Sequence, residues 1–408
     1  MVVVTGIGIV APTGLGTEGL LRSLRKGESA ATELSSSGKS VYPANHACRV
    51  QNFNPTDFLS FKNIRHMTRC SQLGVVAAKL AVQDSALDLS QVDSVRIEMY
   101  EGTSIGGMDK IFQNHRIFLE KDYTELDPHV PISAFVGSAS GEIAIALGVR
   151  CRSITICSGS ASANDAIGLG FERISSRSVD IAIVGASEAP IIPEIIASFC
   201  RTGVISTRNG NPKAACRPFS KDRDGFILGE GAAFLVLESR EHAKARGAHI
   251  YAELAGYGSN CDAYHMVTPH PEGEGVCFAI KRALAAAGLV VGDIDYVNAH
   301  GTATLTNDKV ETVAFKRAFG SFASQIPISS TKPITGHLLG ASGAIEAVVC
   351  TLAINHSFLP PTINYSEPDP DCDLSYVPNK AQEKDVSVAL SCNYGFGGKN
   401  SVLVFRKC

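Results

Sequence analysis

The sequence predicts an α/β protein of stacked sheet and helix layers, on three observations. Short β-branched or apolar runs recur along the 408 residues, and between them lie longer stretches with helical spacing of apolar side chains. Composition adds that 45% of residues are hydrophobic and 19% charged, enough for a large buried core at an ordinary charge density.

Val2–Thr5 is the first strand, a β-branched run leading into glycines. Gly74–Ser85 reads as a helix, and Gly106–Ser140 is less regular, expected as an inserted layer or cap. Strands Ser153–Cys157 and Asp180–Val184 flank a helix over Ala161–Ser175. Ala232–Glu238 follows, then a charged helical stretch that stops at Arg246-Gly247. A similar plan begins again with strand Tyr251–Ala255, helix Gly275–Ala287, strand Tyr296–Asn298 and helix Gly343–Asn355, closing with strands Val386–Ser391 and Ser401–Phe405. Many of these strands are apolar nearly throughout, as strands covered on both faces are, so largely parallel sheets are expected. The seam falls near His249, giving an N-terminal half over 1–248 and a C-terminal half over 249–408. The proline-rich stretch Leu359–Pro370 is expected to cross the surface.

A net charge of −3 gives no broad electrostatic case for nucleic acid or an anionic membrane. Twelve cysteines are scattered without a C-x-x-C pair, which fits free thiols in a reducing compartment rather than a disulfide scaffold. No metal-ligand spacing occurs, and no apolar run approaches the ~20 residues that span a bilayer. The chain opens directly into a strand, with no basic leader segment, so a cytoplasmic enzyme is expected.

Four stretches carry residues suited to chemistry. Strand Ser153–Cys157 runs into Ser158-Gly159-Ser160-Ala161-Ser162 and a helix, the arrangement that presents a nucleophile at a helix N-terminus. Taken alone, it reads first as an ordinary serine-rich cap, and Cys157 reads as a core residue of the strand. The second stretch, Asn298–Thr304, places His300 between a strand end and Gly301. The third, Ser329–Gly340, contains Lys332 and, after Gly336, His337, with Glu346 on the helix that follows. A lone histidine is usually structural, but two beside glycines after strands argue for a site. The fourth, Asn393–Asn400, is a glycine-rich loop between strands, either a plain hairpin or backbone amides brought to a substrate oxyanion.

Together these stretches resemble the β-ketoacyl-acyl-carrier-protein synthases, most closely the type II elongating condensing enzymes of the thiolase-like superfamily. The resemblance covers nearly the whole chain and includes Val2–Gly8, Arg217–Phe226 and Asp262–Met266, all in the family's order. It implies a five-layer αβαβα fold from two related halves, with the 106–140 segment as a cap or dimer element. It implies decarboxylative Claisen condensation of acyl-carrier-protein thioesters with malonyl-carrier protein, in fatty acid or type II polyketide or polyene biosynthesis, without a cofactor. Partners implied are an acyl carrier protein bearing acyl and malonyl phosphopantetheine, and a second identical or related subunit. His300 and His337 resemble the pair that drives malonyl decarboxylation, and Lys332 the lysine that orders them, with Glu346 beside it. Thr302 and Thr304 resemble the pantetheine contacts, Ile105 and Phe199 the acyl-pocket lining. Phe396 resembles the gate, whose N–H with that of Ser160 makes the oxyanion hole. Lys62, Arg65 and Arg69, at roughly helical spacing, are candidates for docking the acidic carrier protein.

Two positions depart from the family. Lys399 stands where a small polar residue is expected, and Ser160 where the nucleophilic cysteine is expected; Cys157 is three residues too early. A helix N-terminus lowers a cysteine from pKa ~8.5 to a substantial thiolate. A serine hydroxyl instead needs a positioned base. The serine is read as an engineered Cys-to-Ser form, as a natural variant transferring acyl groups through Ser160, or as the mark of a non-condensing subunit resembling the chain-length factors. A serine hydrolase is disfavoured because the G-x-S-x-G elbow is absent. A dinucleotide site at Gly6-x-Gly8 is rejected because Pro12 interrupts the helix start.

Overall fold

Strand order reveals the duplication that the sequence only hints at. The structure, a computed structural model, describes residues 1–34 and 43–408. In the N-terminal half the strands are β1 (Val2–Ala11), β2 (Ile97–Gly102), β3 (Arg152–Ile156), β4 (Ile181–Glu188) and β5 (Gly231–Ser239). In the C-terminal half they are β6 (Ala252–Cys261), β7 (Tyr296–Asn298), β8 (Ile328–Ser329), β9 (Val388–Gly395) and β10 (Lys399–Arg406). The spatial order is β3-β2-β4-β5-β1 in the first set and β8-β7-β9-β10-β6 in the second. Each is third, second, fourth, fifth, first in its own sequence. Directions match too: β2 runs parallel to β3 and β4, as β7 does to β8 and β9, and every other neighbouring pair within a set is antiparallel. The sets join edge to edge where β1 pairs antiparallel with β6 from Val2↔Leu254 to Val4↔Ala252.

The largely parallel sheets expected from strand hydrophobicity are therefore corrected to mixed ones. Apolar strands report cover on both faces, and helices provide it whatever the strand direction. Helix α1 (Arg69–Asp84) packs outside β1, β4 and β5, and α4 (Glu274–Ala287) outside β6 and β10; α3 (Ser162–Ser175) and α6 (Ser342–His356) lie between the two sets. The layers run αβαβα, as the resemblance implies. The interior position of α6 explains its apolar circumference. Leu339–His356 is the one stretch among the described residues long and apolar enough to cross a membrane, yet 89% of it is buried inside the protein.

Expected helices are found within a few residues, α1 starting earlier because Thr68 caps it by accepting the Ser71 N–H at 3.2 Å. Within 106–140 the chain forms α2 (Met108–Glu120) and short turns. Strand β2 escapes the sequence because Glu98 and Glu101 interrupt its apolar pattern. Both are buried, Glu98 receiving Arg173 at 2.8 Å and Glu101 the Ser187 hydroxyl at 2.7 Å. Leu359–Pro370 is only partly a surface crossing: Leu359–Ile363 are buried, Thr362 accepting the Ser330 N–H at 3.0 Å, and the chain reaches solvent from Ser366. All twelve cysteines are free thiols.

Candidate active site

Ser160 is set by a turn that only glycine makes easily. Past the end of β3 the backbone reverses through Gly159 at φ +62°, before α3 begins. Ser162 closes this turn, accepting the Ser158 N–H at 2.9 Å and donating to the Gly159 carbonyl at 2.6 Å. Ser158 in turn donates to Asp165 on α3 at 2.5 Å, and Tyr257 on β6 donates to the same carboxylate at 2.9 Å. A Cβ on Gly395 would stand 3.0 Å from Ser160 N, and one on Gly159 would stand 3.6 Å from Phe396 N, so the two backbones run side by side and bring these amides together.

His300 follows β7, and its loop hangs on Glu311 of α5 (Leu305–Phe319). That buried carboxylate accepts the His300 N–H at 2.7 Å and the Gly301 N–H at 2.8 Å. His337 follows Gly336, which sits at φ +80°; a Cβ there would stand 2.8 Å from Cys48 Cβ, so the position has no room for a side chain. The His337 N–H donates to Ile227 at 2.7 Å and its carbonyl accepts from Gly229 at 2.9 Å. Phe226 packs edge-on against the imidazole, centroids 4.9 Å apart, with Phe199 behind it.

These segments, far apart in sequence, converge. Ser160 Oγ lies 3.2 Å from His337 Nε2. The His300 and His337 rings stand 5.4 Å apart and nearly perpendicular. His337 Nδ1 faces Ser342 Oγ at 2.8 Å, whereas His300 Nδ1 has no partner among the described residues. Burial holds both imidazoles well below the usual histidine pKa, and the Lys332 charge adds to the effect. Both rings are therefore neutral, and His337 faces the Ser160 hydroxyl. Lys332 lies wholly buried, its Nζ 2.6 Å from Glu346, whose other oxygen accepts the Asn393 amide at 2.9 Å. Burial raises the Glu346 carboxyl, and Lys332 opposes that rise.

A cavity of about 520 Å³ opens onto this point. Ser160, His300 and His337 line it, together with Thr302, Thr304, Ile105, Phe199 and Phe396. The two threonine hydroxyls share a hydrogen bond of 2.8 Å. Phe396 is half exposed. Lys332 and Glu346 stay out of the lining and act on the site only through charge and packing.

Two expectations are corrected. Cys157 is not a core residue: β3 ends before it, and its exposed thiol donates to the Ser104 carbonyl at 3.4 Å. Arg69 is not a free docking cation, because it pairs with Glu230 at 2.9 Å and lies over Phe53; Lys62 and Arg65 remain exposed. Lys399 is exposed at the start of β10, beside the cavity residues Gly398 and Asn400.

Glu188 is a site residue that sequence reasoning misses. It accepts the Ser104 N–H at 2.6 Å and the Gly340 N–H at 3.1 Å, tying the Ile105 loop to the loop after His337. An acid closing an apolar strand is the one signal that could have found it. Ser342 gives none, being one small residue among several.

Comparison with known proteins places this geometry in a family. Residues 1–243 match the model of the β-ketoacyl synthase N-terminal domain, and 251–366 that of the β-ketoacyl synthase C-terminal domain. The chain is 40% identical over 406 residues to 3-oxoacyl-[acyl-carrier-protein] synthase 2 of Staphylococcus aureus (strain COL), covering 100% of this chain and 98% of that one. The enzyme of the same name from Coxiella burnetii (strain RSA 493 / Nine Mile phase I) is 38% identical, again covering 100% and 98%. Among solved structures, the ishigamide ketosynthase/chain length factor superposes with a TM-score of 0.93 at 36% identity, over 100% of this chain and 99% of that one. A type II polyketide ketosynthase bound to a hexaketide, in complex with its acyl carrier protein, gives 0.92 at 36% identity over the same shares.

Proposed function

The chain belongs to the β-ketoacyl synthase family, and from that premise we propose that it performs decarboxylative Claisen chemistry on malonyl-carrier protein with Ser160 at the nucleophile position. The observation that carries this reading is a pair of buried, neutral imidazoles 5.4 Å apart that line one cavity with Ser160, one of them 3.2 Å from its hydroxyl. In the first step the malonyl C–CO2 bond breaks, carbon dioxide leaves, and the electron pair moves onto the thioester carbonyl as an enolate. His300 and His337 lie where N–H donors stabilise that oxygen. The enolate carbon then attacks an acyl carbonyl, forming the new C–C bond as the acyl group leaves its oxygen or sulfur. In this reading the Ser160 and Phe396 amides hold the oxyanion of that step and Thr302 and Thr304 contact the pantetheine arm, which the close approach of the two backbones and the cavity lining support. Ile105 and Phe199 line the acyl side.

No carboxylate hydrogen-bonds to either imidazole among the described residues: His337 Nδ1 meets Ser342, and the side chain acting on His300 is the Asn393 amide. That argues against a serine hydrolase, whose base is oriented by an acid. It also leaves Ser160 a poor acyl acceptor, so loading and condensation run far below a cysteine enzyme while malonyl decarboxylation persists. We read the division at 248/249 as the boundary of two thiolase-like halves, and the protein as a cytoplasmic enzyme of fatty acid or type II polyketide biosynthesis working with an acyl carrier protein.

A second reading is a non-condensing subunit paired with a related chain. It is favoured by the surface around β3, a strand unpaired on its outer edge among the described residues. Phe118, Leu119, Ile132, Phe135 and Ile145 are exposed on the segments between β2 and β3. Incubation with acyl- and malonyl-carrier protein, alone and with a related cysteine-bearing subunit, separates the two. β-Ketoacyl product from the chain alone supports condensation, and product only from the pair supports the subunit role.

A further inference from the structure

Two buried acids behind the acyl side of the cavity take no part in the condensation steps. Glu101 on β2 and Glu188 at the end of β4 are both wholly removed from solvent, and neither pairs with a lysine or arginine among the described residues. Their surroundings differ. Glu188 accepts four donors: the Ser104 N–H at 2.6 Å, the Ile105 N–H at 3.3 Å, the Thr103 hydroxyl at 3.0 Å and the Gly340 N–H at 3.1 Å. An ionised carboxylate has room for all four, and a protonated acid would give one place up. Glu101 meets only hydroxyls. Ser187 donates to one oxygen at 2.7 Å, and Thr155 lies 3.2 Å from the other. Thr155 has one proton and a nearer acceptor, Ser140 Oγ at 2.9 Å, whose own proton goes to the Gly137 carbonyl at 3.0 Å. Glu101 completes this chain as a donor to Thr155, and for that it must be protonated.

The Glu188 contacts also hold a strained loop. Leu339 sits at φ +45°, a costly conformation for a bulky side chain, and the next N–H along, that of Gly340, is the one Glu188 binds. The two loops leave no slack, since a Cβ on Gly340 would stand 2.5 Å from Ser104 N. Leu339 and Ile105 both line the cavity.

We propose that Glu101 and Glu188 share one proton, held by Glu101, and that the Glu188 anion clasps Ile105 and Leu339 together as the wall against which an acyl chain packs. Both acids are positioning residues. This rests on the reading of Ile105 as acyl lining and deepens it. Burial raises both carboxyls: Glu101 to about 8, with Glu188 adding to the rise, and Glu188 to about 7, its amide bonds opposing it. The titratable groups facing Glu101 are Glu188 and, on α1, the Cys70 thiol, so no cation offsets a second negative charge. Ionising Glu101 sets two anions against each other, and protonating Glu188 gives up an amide. The clasp is therefore tightest between those two values.

The test measures octanoyl- and acetyl-pantetheine binding to the full chain by calorimetry across pH, in wild type, Glu101→Gln and Glu188→Gln. Octanoyl affinity of the wild type should peak between about 7 and about 8 and fall about fivefold or more on either side, the lower end of ordinary coupling between two sites. Glu101→Gln, whose amide can donate to Thr155 at any pH, should lose the alkaline fall and keep the acid one. Glu188→Gln should weaken octanoyl binding at least about tenfold more than acetyl binding, because only the longer chain reaches the wall. The infrared difference between wild type and Glu101→Gln, recorded at a pH of about 7, should contain the C=O stretch of a protonated carboxyl. Absence of that band, an alkaline fall as large in Glu101→Gln as in wild type, or a Glu188→Gln that weakens both ligands equally would overturn the proposal. Should Glu188→Gln fail to fold, the Glu101→Gln profile and spectrum still decide. A wild type that binds acetyl- but not octanoyl-pantetheine at any pH overturns the acyl-lining reading instead, while the infrared band still places the proton.

Discussion

Lys332 Nζ and the Glu346 carboxylate meet at 2.6 Å with both side chains almost wholly removed from solvent. Lys332 opens a one-turn helix before the His337 loop, and Glu346 sits on α6 in the second turn after Ser342. The pair therefore pins the His337 loop to the central helix layer while placing a positive charge beneath both imidazoles. Replacing Lys332 by Met leaves Glu346 buried and uncompensated. Chemical denaturation should register a loss of about 3–5 kcal/mol, most of it recovered in the Lys332→Met/Glu346→Leu double variant. A loss below about 1 kcal/mol in the single variant would mean the pair is not buried as described.

Ser160→Cys should raise condensation on the order of 10²-fold or more, because a thiol at the N-terminus of α3 ionises where a hydroxyl does not. The readout is β-ketoacyl-carrier protein formed from acyl- and malonyl-carrier protein. Unchanged turnover would show that the serine is not what limits the reaction.

A pH dependence follows from two buried acids behind the cavity. Burial raises Glu101 from 4.5 to about 8, with Glu188 adding to the rise, and burial raises Glu188 from 4.5 to about 7. The folded chain then holds protons that the unfolded chain releases above 4.5, so their contribution to stability declines as pH climbs from 4.5 to about 8. The Glu101→Gln variant removes one of these protonations. Its unfolding free energy should fall less steeply over that window than the wild type's, by up to about 1.4 kcal/mol per pH unit. Parallel pH profiles for the two proteins would contradict this.

Carrier-protein docking divides the three basic residues. Lys62→Glu and Arg65→Glu, on exposed positions, should raise the carrier-protein KM with kcat little changed. Arg69→Glu should instead lower stability, since it sets a second acid against Glu230. A KM unaffected by either exposed reversal would exclude this face.

Much of the fold is legible because helix spacing and glycine punctuation mark α1, α3, α4 and α6 without tertiary information. Strand direction is not, since burial on both faces leaves the same apolar pattern in parallel and antiparallel strands. β2 is hidden by Glu98 and Glu101, acids whose partners lie on other elements. At the site, His300 and His337 stand out as histidines flanked by glycine, and Lys332 by its place in the same loop. Ser342 and Glu188 do not, because their roles are defined only by what they touch: an imidazole nitrogen in one case, backbone amides of two loops in the other. Cys157 misleads because a cysteine beside an apolar strand ordinarily reads as core.

Carbon dioxide release from malonyl-carrier protein, measured on the chain as it stands and on His300→Ala and His337→Ala, reads the work of the two imidazoles without any acyl transfer. The wild-type protein should release it without added acyl donor, and each variant should show a fall on the order of 10²–10³-fold, the range for removing one oxyanion donor. A wild type that releases no carbon dioxide, or variants that release it at the wild-type rate, would contradict the assignment of the two imidazoles.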